Sequence, residues 1–140
     1  MKNIIVIGGG ASGMMAAIAA SANGAKVTII EQNAFPGKKI LSTGNGRCNY
    51  TNFVQTPSCY RSDDRNSLAG HPAVRRAKDR RIFARSWHLP KERNGYLYPN
   101  SDQAQAVADA LVMECERLSI RIRCNTTCQE SFLTNTVSES

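Results

Sequence analysis

Three glycines near the N-terminus have the spacing of a phosphate-binding loop. Gly8, Gly10 and Gly13 satisfy G-x-G-x-x-G. The first glycine permits a tight turn, the second lets the backbone approach a pyrophosphate, and the third lets a helix pack closely on a strand. Backbone N–H groups from Ala11 through Ser12 to Gly13 would point at the anion, and the helix dipole would favour its charge. The spacing therefore predicts a pyrophosphate site.

An acidic residue follows at the distance expected for a dinucleotide. Glu31 lies 18 residues after Gly13, where a carboxylate can accept a hydrogen bond from a ribose hydroxyl and repel a 2′-phosphate. A lone glycine motif also occurs in flexible turns that bind nothing. Its position between a strand and a helix, with an acid beyond, favours a dinucleotide, but the motif does not choose between FAD and NAD.

The elements around the glycines predict the fold. Residues 4–7 are a β-branched apolar run, typical of a central parallel strand buried on both faces. Residues 12–22 are mostly small or unbranched and predict a helix that ends at Asn23-Gly24, and residues 27–30 predict a second strand. This order is the right-handed β-α-β unit of a doubly wound sheet. The predicted fold class is α/β, a Rossmann-like β-α-β unit with an incomplete parallel sheet, and its assignment to FAD binding depends on the loop that follows.

The next loop carries a family resemblance. Residues 36–52, PGKKILSTGNGRCNYTN, resemble the signature of the YhiN- or BaiN-like, aminoacetone-oxidase-like family of bacterial FAD-dependent oxidoreductases. The resemblance implies that the loop lies along FAD. The loop residues that it assigns to cofactor binding are Gly37, Lys38, Lys39, Gly44, Gly46, Arg47, Cys48 and Asn49.

The loop residues themselves allow two interpretations. A glycine-paired turn with Arg47 and Asn49 offers N–H donors and a cation to a pyrophosphate or a reduced flavin. The alternative is a structural Ω-loop held by its own hydrogen bonds. Cys48 beside Arg47 could serve as a redox thiol. We favour a small buried residue in a tight loop, because no base is identified for it, and no catalytic residue is predicted.

The C-terminal part predicts a helix and a strand. Residues 99–102 look like a helix start, residues 104–118 carry apolar side chains at three- and four-residue spacing, and residues 120–124 alternate apolar and basic. The resemblance resumes over residues 91–128. It implies that the chain after this strand passes the adenine of FAD, with Cys128 at the position of a small residue that binds the base through its backbone.

One block interrupts the resemblance. Between Arg65 and Arg93 there are nine basic residues and two acids, so this stretch carries the whole net charge of +7. One hypothesis is a basic nucleic-acid patch. The hypothesis that we favour is frameshifted sequence between two intact stretches. Sequencing the gene across these codons tests it, and sister genes encoding the same basic block would contradict it.

The cysteines and the early glycines argue against several classes of protein. Five cysteines without a C-x-x-C pair argue against a disulfide framework and a zinc site, and favour a reducing cytoplasmic setting. The early glycines interrupt any signal peptide or membrane span. We expect residues 1–128 to be a partial FAD-binding domain, with 65–90 atypical, and residues 129–140 to be a polar tail.

The expected function is the N-terminal FAD-binding part of a flavin-dependent oxidoreductase, truncated and of little activity alone. The substrate is not predicted, and neither a membrane nor nucleic acid is the favoured partner. The alternatives are a small basic nucleic-acid-binding protein with a Rossmann-like start and an inactive pseudogene product.

Overall fold

The computed structural model describes residues 1–49, 51–52 and 90–130. In chain order the elements are β1 (Asn3–Ile7), α1 (Ala11–Ala22), β2 (Lys26–Ile30), a 3₁₀ segment (Ile40–Gly46), β3 (Thr51–Asn52), β4 (Pro90–Arg93), β5 (Tyr96–Pro99), α2 (Ala104–Arg117) and β6 (Arg121–Arg123). None of the helices in these ranges is long and apolar enough to cross a membrane. The frameshift and nucleic-acid hypotheses for the basic block fall mostly outside the described residues, and so does most of the predicted polar tail.

A parallel sheet holds the N-terminal half together. Its described strands run in the order β1-β2-β6, and both pairs are parallel. The register places Ile5 opposite Thr28 and Thr28 opposite Arg121. This arrangement confirms the predicted α/β fold with its β-α-β unit, and it brings the ends of β1 and β2 side by side.

The two faces of this sheet differ. Ile4 and Val6 of β1 pack against the core with Val27 and Ile29 of β2, on the side where both helices lie. The other face of β1 is open among the described residues, with Ile5 68% and Ile7 62% exposed. The prediction that β1 is buried on both faces is therefore wrong for this part of the chain, because only one helical layer covers the sheet there.

Helix α2 supplies much of the core. Its buried stripe follows the predicted spacing and comprises Ala104, Val107, Ala108, Ala110, Leu111 and Cys115. The helix begins two residues later than predicted, because Asp102 has a left-handed φ of 55°. Instead of capping the helix, the Asp102 carboxylate pairs with Lys91 at 2.9 Å and with Arg93 at 2.8 Å.

The structure adds a hairpin that the sequence analysis does not predict. Strands β4 and β5 pair antiparallel, and β3 joins the outer side of β5. Asn94 and Gly95 form the two-residue connection with positive φ values of 52° and 85°. An Asn-Gly pair between strands is a strong signal for this turn, so the hairpin was visible in the sequence.

The close approach of α1 to β1 depends on Gly13, and substitution tests it. A Cβ at Gly13 would lie 1.9 Å from the carbonyl oxygen of Gly8. We expect Gly13→Ala to destabilise the fold by about 2 kcal/mol or more through overpacking, which lowers Tm by roughly 10 °C in a domain of this size. Thermal unfolding followed by circular dichroism measures this change.

Gly10→Ala is the matched control, because a Cβ at Gly10 meets no atom within 4 Å. We expect its Tm to stay close to that of the native chain. Equal Tm values for the two variants would contradict the packing of α1 described here.

Candidate functional site

The N-terminus of α1 is open to an anion. Gly10 occupies the N-cap position in an extended conformation, and no side chain of the described residues caps it. The first intrahelical bond runs from Met14 N to Gly10 O, at 2.9 Å. The N–H groups of the three residues between them have no acceptor within the helix, and the first turn contains no acid. These donors and the helix dipole therefore favour an anionic group at this end.

The glycines of the loop have separate structural roles. Gly8 has a φ of 96° and continues the ladder by donating to Ile30 O at 2.8 Å. Gly13 allows the contact between helix and strand. At Gly10 the space beside the backbone is empty, so a phosphate can approach where a side chain would otherwise stand. The pyrophosphate site itself stays a prediction.

Glu31 lies directly after β2 and is buried beside the glycine loop. Its side chain is 6% exposed. Oε2 accepts a hydrogen bond from Gly9 N at 2.7 Å. Oε1 accepts hydrogen bonds from the backbone N of Asn33 at 2.7 Å and from its Nδ2 at 2.6 Å. The carboxylate therefore joins the glycine loop to the chain that follows β2.

These donors keep Glu31 charged. The backbone N–H of Asn33 lowers the pKa of the carboxyl most, and further hydrogen bonds from the Asn33 side chain, Gly9 and Gln32 lower it as well. Burial acts in the opposite direction and does not overcome them. The pKa of Glu31 thus lies below its ordinary value, so the group is an ionised acceptor at neutral pH.

A small cavity of about 280 Å³ opens beside Glu31. Its walls come from the ends of β1 and β2 and from the chain after β6: Ile7, Gly8, Ile30, Glu31, Gln32, Asn33, Thr126, Thr127 and Cys128. Backbone hydrogen bonds hold the two sides together, from Thr126 N to Glu31 O at 2.9 Å and from Asn125 N to Asn33 O at 3.0 Å. Cys128 and Glu31 thus line the same cavity.

A larger cavity of about 550 Å³ lies on the other side of the glycine loop. It is lined by Gly10, Ala11, Ser12, Met15, Lys39, Ile40, Thr43, Cys48, Asn49, Val107 and Leu111. The walls are mainly apolar, with one ammonium group, two hydroxyls and one amide among them. A cavity of this size and character is typical of a site for a small organic molecule.

The loop that closes the larger cavity has an unusual backbone. Gly44, Asn45, Gly46 and Cys48 all have positive φ, between 54° and 77°. Hydrogen bonds from Arg47 N to Gly44 O and from Cys48 N to Thr43 O, both 3.1 Å, close the turn. This tight reversal turns the buried Cys48 towards the cavity, which agrees with its interpretation as a small buried residue.

The two adjacent lysines diverge. Lys39 lines the larger cavity, whereas Lys38 donates from Nζ to Asn33 Oδ1 at 3.2 Å, on the Glu31 side. Arg47 is exposed and does not line either cavity; its charge helps to lower the pKa of Asp102, after the larger effect of Lys91. Of the predicted residues, the larger cavity is lined by Gly10, Ala11, Ser12, Lys39, Cys48 and Asn49, and the smaller one by Gly8, Glu31 and Cys128. Neither cavity is lined by Gly13, Gly37, Lys38, Gly44, Gly46 or Arg47.

Sequence reasoning missed several residues of this site. Gly9 is one, because a Cβ there would lie 3.0 Å from Pro36 Cβ and 3.1 Å from Glu31 Oε2. Asn33 is another, since its role depends on hydrogen bonds that spacing does not reveal. Val107 and Leu111 were predicted as helix core, and they also form the floor of the larger cavity.

Comparison with known proteins agrees with this geometry. The family described as HI0933-like protein Rossmann domain matches residues 2–138. The 3-dehydro-bile acid delta(4,6)-reductase of Clostridium scindens is 46% identical over 128 residues, covering 87% of this chain and 31% of the reductase. The ribosomal RNA dihydrouridine synthase of Escherichia coli is 34% identical over 123 residues, covering 85% of this chain and 30% of that protein.

A solved structure shows the same fold at low sequence identity. The crystal structure of Thermovibrio ammonificans THI4 superposes with a TM-score of 0.57 at 15% identity, covering 88% of this chain and 38% of that one. The chain spans about a third of the length of the curated relatives that it matches. It belongs to the HI0933-like Rossmann-domain family, which confirms the flavin oxidoreductase family indicated by its loop sequence.

Proposed function

We propose that this chain binds FAD as the nucleotide-binding part of a flavin-dependent oxidoreductase. One observation carries the proposal. The open N-terminus of α1 lies between two cavities, one beside the ionised Glu31 and one with mainly apolar walls. A dinucleotide has an anionic centre with a sugar and a ring system at each end, and this arrangement offers a place for each part.

The glycine loop suits the pyrophosphate. Its free N–H groups and the helix dipole attract negative charge, and the absence of a side chain at Gly10 leaves room for the phosphate oxygens. Lys39, on the wall of the larger cavity, adds a positive charge on the same side of the loop.

The smaller cavity suits the adenosine half. A charged carboxylate accepts a ribose hydroxyl as a strong, charge-assisted hydrogen bond, and it repels a phosphate on the same sugar. Glu31 has this chemistry, and the chain from Thr126 to Cys128 forms the opposite wall. We therefore assign the adenine to the region of Cys128.

The larger cavity suits the flavin half. Apolar side chains of α1, α2 and the 3₁₀ segment can cover a flat ring system, and Thr43 and Asn49 can orient its polar edge. When bound, the flavin supplies the hydride or electron transfer. The described residues hold and orient it, and they shield one side from water.

We infer that the residues that select the substrate lie outside the part of the relatives that this chain matches. One relative is named for a bile acid and the other for ribosomal RNA, yet this chain resembles about a third of each. A part shared by proteins with such different substrates is best explained by the cofactor. We propose that this chain alone supports little turnover, and that it works in a reducing, cytoplasmic setting.

FAD titration of the purified chain tests the proposal, with a pair of asparagine substitutions at the two ends of α1. Asparagine is a favourable N-cap residue, so Gly10→Asn should keep or slightly raise the stability of the fold. Its side chain would fill the phosphate space and compete for the same N–H groups. We therefore expect FAD affinity to fall at least about tenfold, or 1.4 kcal/mol, in flavin fluorescence titrations.

Gly24→Asn is the matched control. Gly24 follows α1 with a φ of 84°, which asparagine tolerates, and a Cβ there meets no atom within 4 Å. We expect native FAD affinity in this variant. If the native chain shows no saturable FAD binding and instead binds DNA or RNA in a salt-dependent manner, the nucleic-acid alternative replaces the FAD proposal.

Alkylation of cysteines tests the assignment of the adenosine half. Cys128 is exposed and lines the smaller cavity, so iodoacetamide should modify it in the free chain. We expect saturating FAD to slow this modification, because the adenine covers the residue. Site-resolved mass spectrometry measures the rate.

Two controls accompany that experiment. FMN lacks the adenosine half and should leave the rate at Cys128 unchanged. Cys115 should stay unmodified throughout, because it is fully buried and burial raises the pKa of its thiol to about 11. Modification of Cys128 at the same rate with and without FAD would contradict the placement of adenine.

A further inference from the structure

Asn33 makes an unusual number of hydrogen bonds for a residue outside any motif. Its backbone N and its Nδ2 both donate to Glu31 Oε1, at 2.7 and 2.6 Å. Its backbone oxygen accepts from Asn125 N at 3.0 Å, on the chain that leads to the opposite wall of the smaller cavity. Asn33 thus contacts both sides of the region assigned to adenosine.

Lys38 fixes the direction of the Asn33 amide. Its ammonium group donates to Oδ1 at 3.2 Å, which leaves Nδ2 to face Glu31. A flipped amide would place its oxygen against the carboxylate and its NH₂ group against the ammonium, and both contacts would be repulsive. Because the Asn33 amide lies between the negative Glu31 and the positive Lys38, it has one favourable orientation.

The two oxygens of Glu31 are used differently. The two hydrogen bonds from Asn33 occupy both lone pairs of Oε1. Among the described residues Oε2 accepts Gly9 N at 2.7 Å, and the backbone N–H of Gln32 has the smallest effect of the donors on the pKa of the carboxyl, so Oε2 keeps more acceptor capacity than Oε1. Oε2 is therefore the oxygen suited to a ribose hydroxyl, and the rotation of the carboxylate that presents it is set by Asn33.

We propose that Asn33, held by Lys38, is a positioning residue for recognition of the adenosine ribose through Glu31 Oε2. The inference rests on the proposed FAD-binding function and deepens it. Asn33 also lines the smaller cavity, and its role in this scheme is to fix the atom that accepts the ribose hydroxyl. Binding of the ribose hydroxyls should consequently depend on the Asn33 side chain more than binding of the flavin half does.

The experiment compares two ligands and two asparagines. The ligands are FAD and an FAD analogue that lacks both hydroxyls of the adenosine ribose. Asn33→Leu removes the side-chain donor and acceptor at nearly constant size. Asn23→Leu makes the same change at the end of α1, where Nδ2 donates to Ala19 O at 2.7 Å, away from both cavities. Dissociation constants come from flavin fluorescence, and circular dichroism checks the fold.

We expect the native chain and Asn23→Leu to prefer FAD over the analogue by about tenfold, or 1.4 kcal/mol. In Asn33→Leu this ratio should fall towards one, with little change in affinity for the analogue. A merely structural role would weaken both ligands equally and leave the ratio intact, so an unchanged ratio overturns the inference.

A second variant covers the case in which Asn33→Leu does not fold. Asn33→Ala keeps the backbone N–H group and removes the side-chain donor to Glu31 without adding a bulky apolar group. We expect the same loss of ligand preference, and a native ratio in this variant would also overturn the inference. A native chain that binds neither ligand refutes FAD binding itself, which distinguishes failure of the proposed function from failure of this assignment.

Discussion

The hydrogen bond between Glu31 Oε2 and Gly9 N connects the parts of this site. It joins the glycine loop after β1 to the acid after β2, at 2.7 Å. A buried carboxylate is costly unless donors surround it, and here Gly9 and Asn33 supply them. The contact also requires glycine at position 9, because a Cβ there would press against Glu31 and Pro36. The second loop is anchored at the same place, where Gly37 N donates to Gly9 O at 2.8 Å.

The start of α1 is less stable than a capped helix start, but it leaves its first N–H groups available to an anion. A serine or aspartate at the N-cap would satisfy the first N–H groups and stabilise the helix, whereas Gly10 leaves them free. The first turn also has no acid, which would stabilise the helix but repel an anion. Residues that lower local helix stability are expected at functional sites. Here the burial of Met14, Ala17 and Ile18 offsets the lost stability.

Much of the fold follows from periodicity, and the remainder depends on contacts that periodicity does not describe. The β-α-β unit and the apolar stripe of α2 are regular repeats that bury one face, so the sequence predicts them well. The exposed side of β1 was not predictable in this way, because an apolar run does not show how many layers cover a strand. The hairpin at Asn94 and Gly95 was missed although its turn signal is explicit.

The site shows the same limit at the level of single residues. The glycine motif and Glu31 could be predicted as candidates because their chemistry is tied to fixed spacing. Lys38 and Lys39 are adjacent, yet Lys39 lines the larger cavity while Lys38 donates to Asn33, and in an irregular loop no repeat predicts this divergence. Asn33 was missed for a related reason, since its role exists only once the carboxylate, the amide and the ammonium group are brought together.

The division between the two lysines has a consequence for how the loop works. Lys39 contributes charge to the cavity with mainly apolar walls, while Lys38 acts on Glu31 only through Asn33. In the proposed complex, the two neighbouring lysines thus act at opposite ends of one ligand. The 3₁₀ segment and Gly37 fix this geometry, because a Cβ at Gly37 would lie 3.2 Å from Ala108 Cβ and displace the loop from α2. In the proposed complex, selectivity for the sugar and contact with the ring system are therefore coupled through the packing of a single loop on α2.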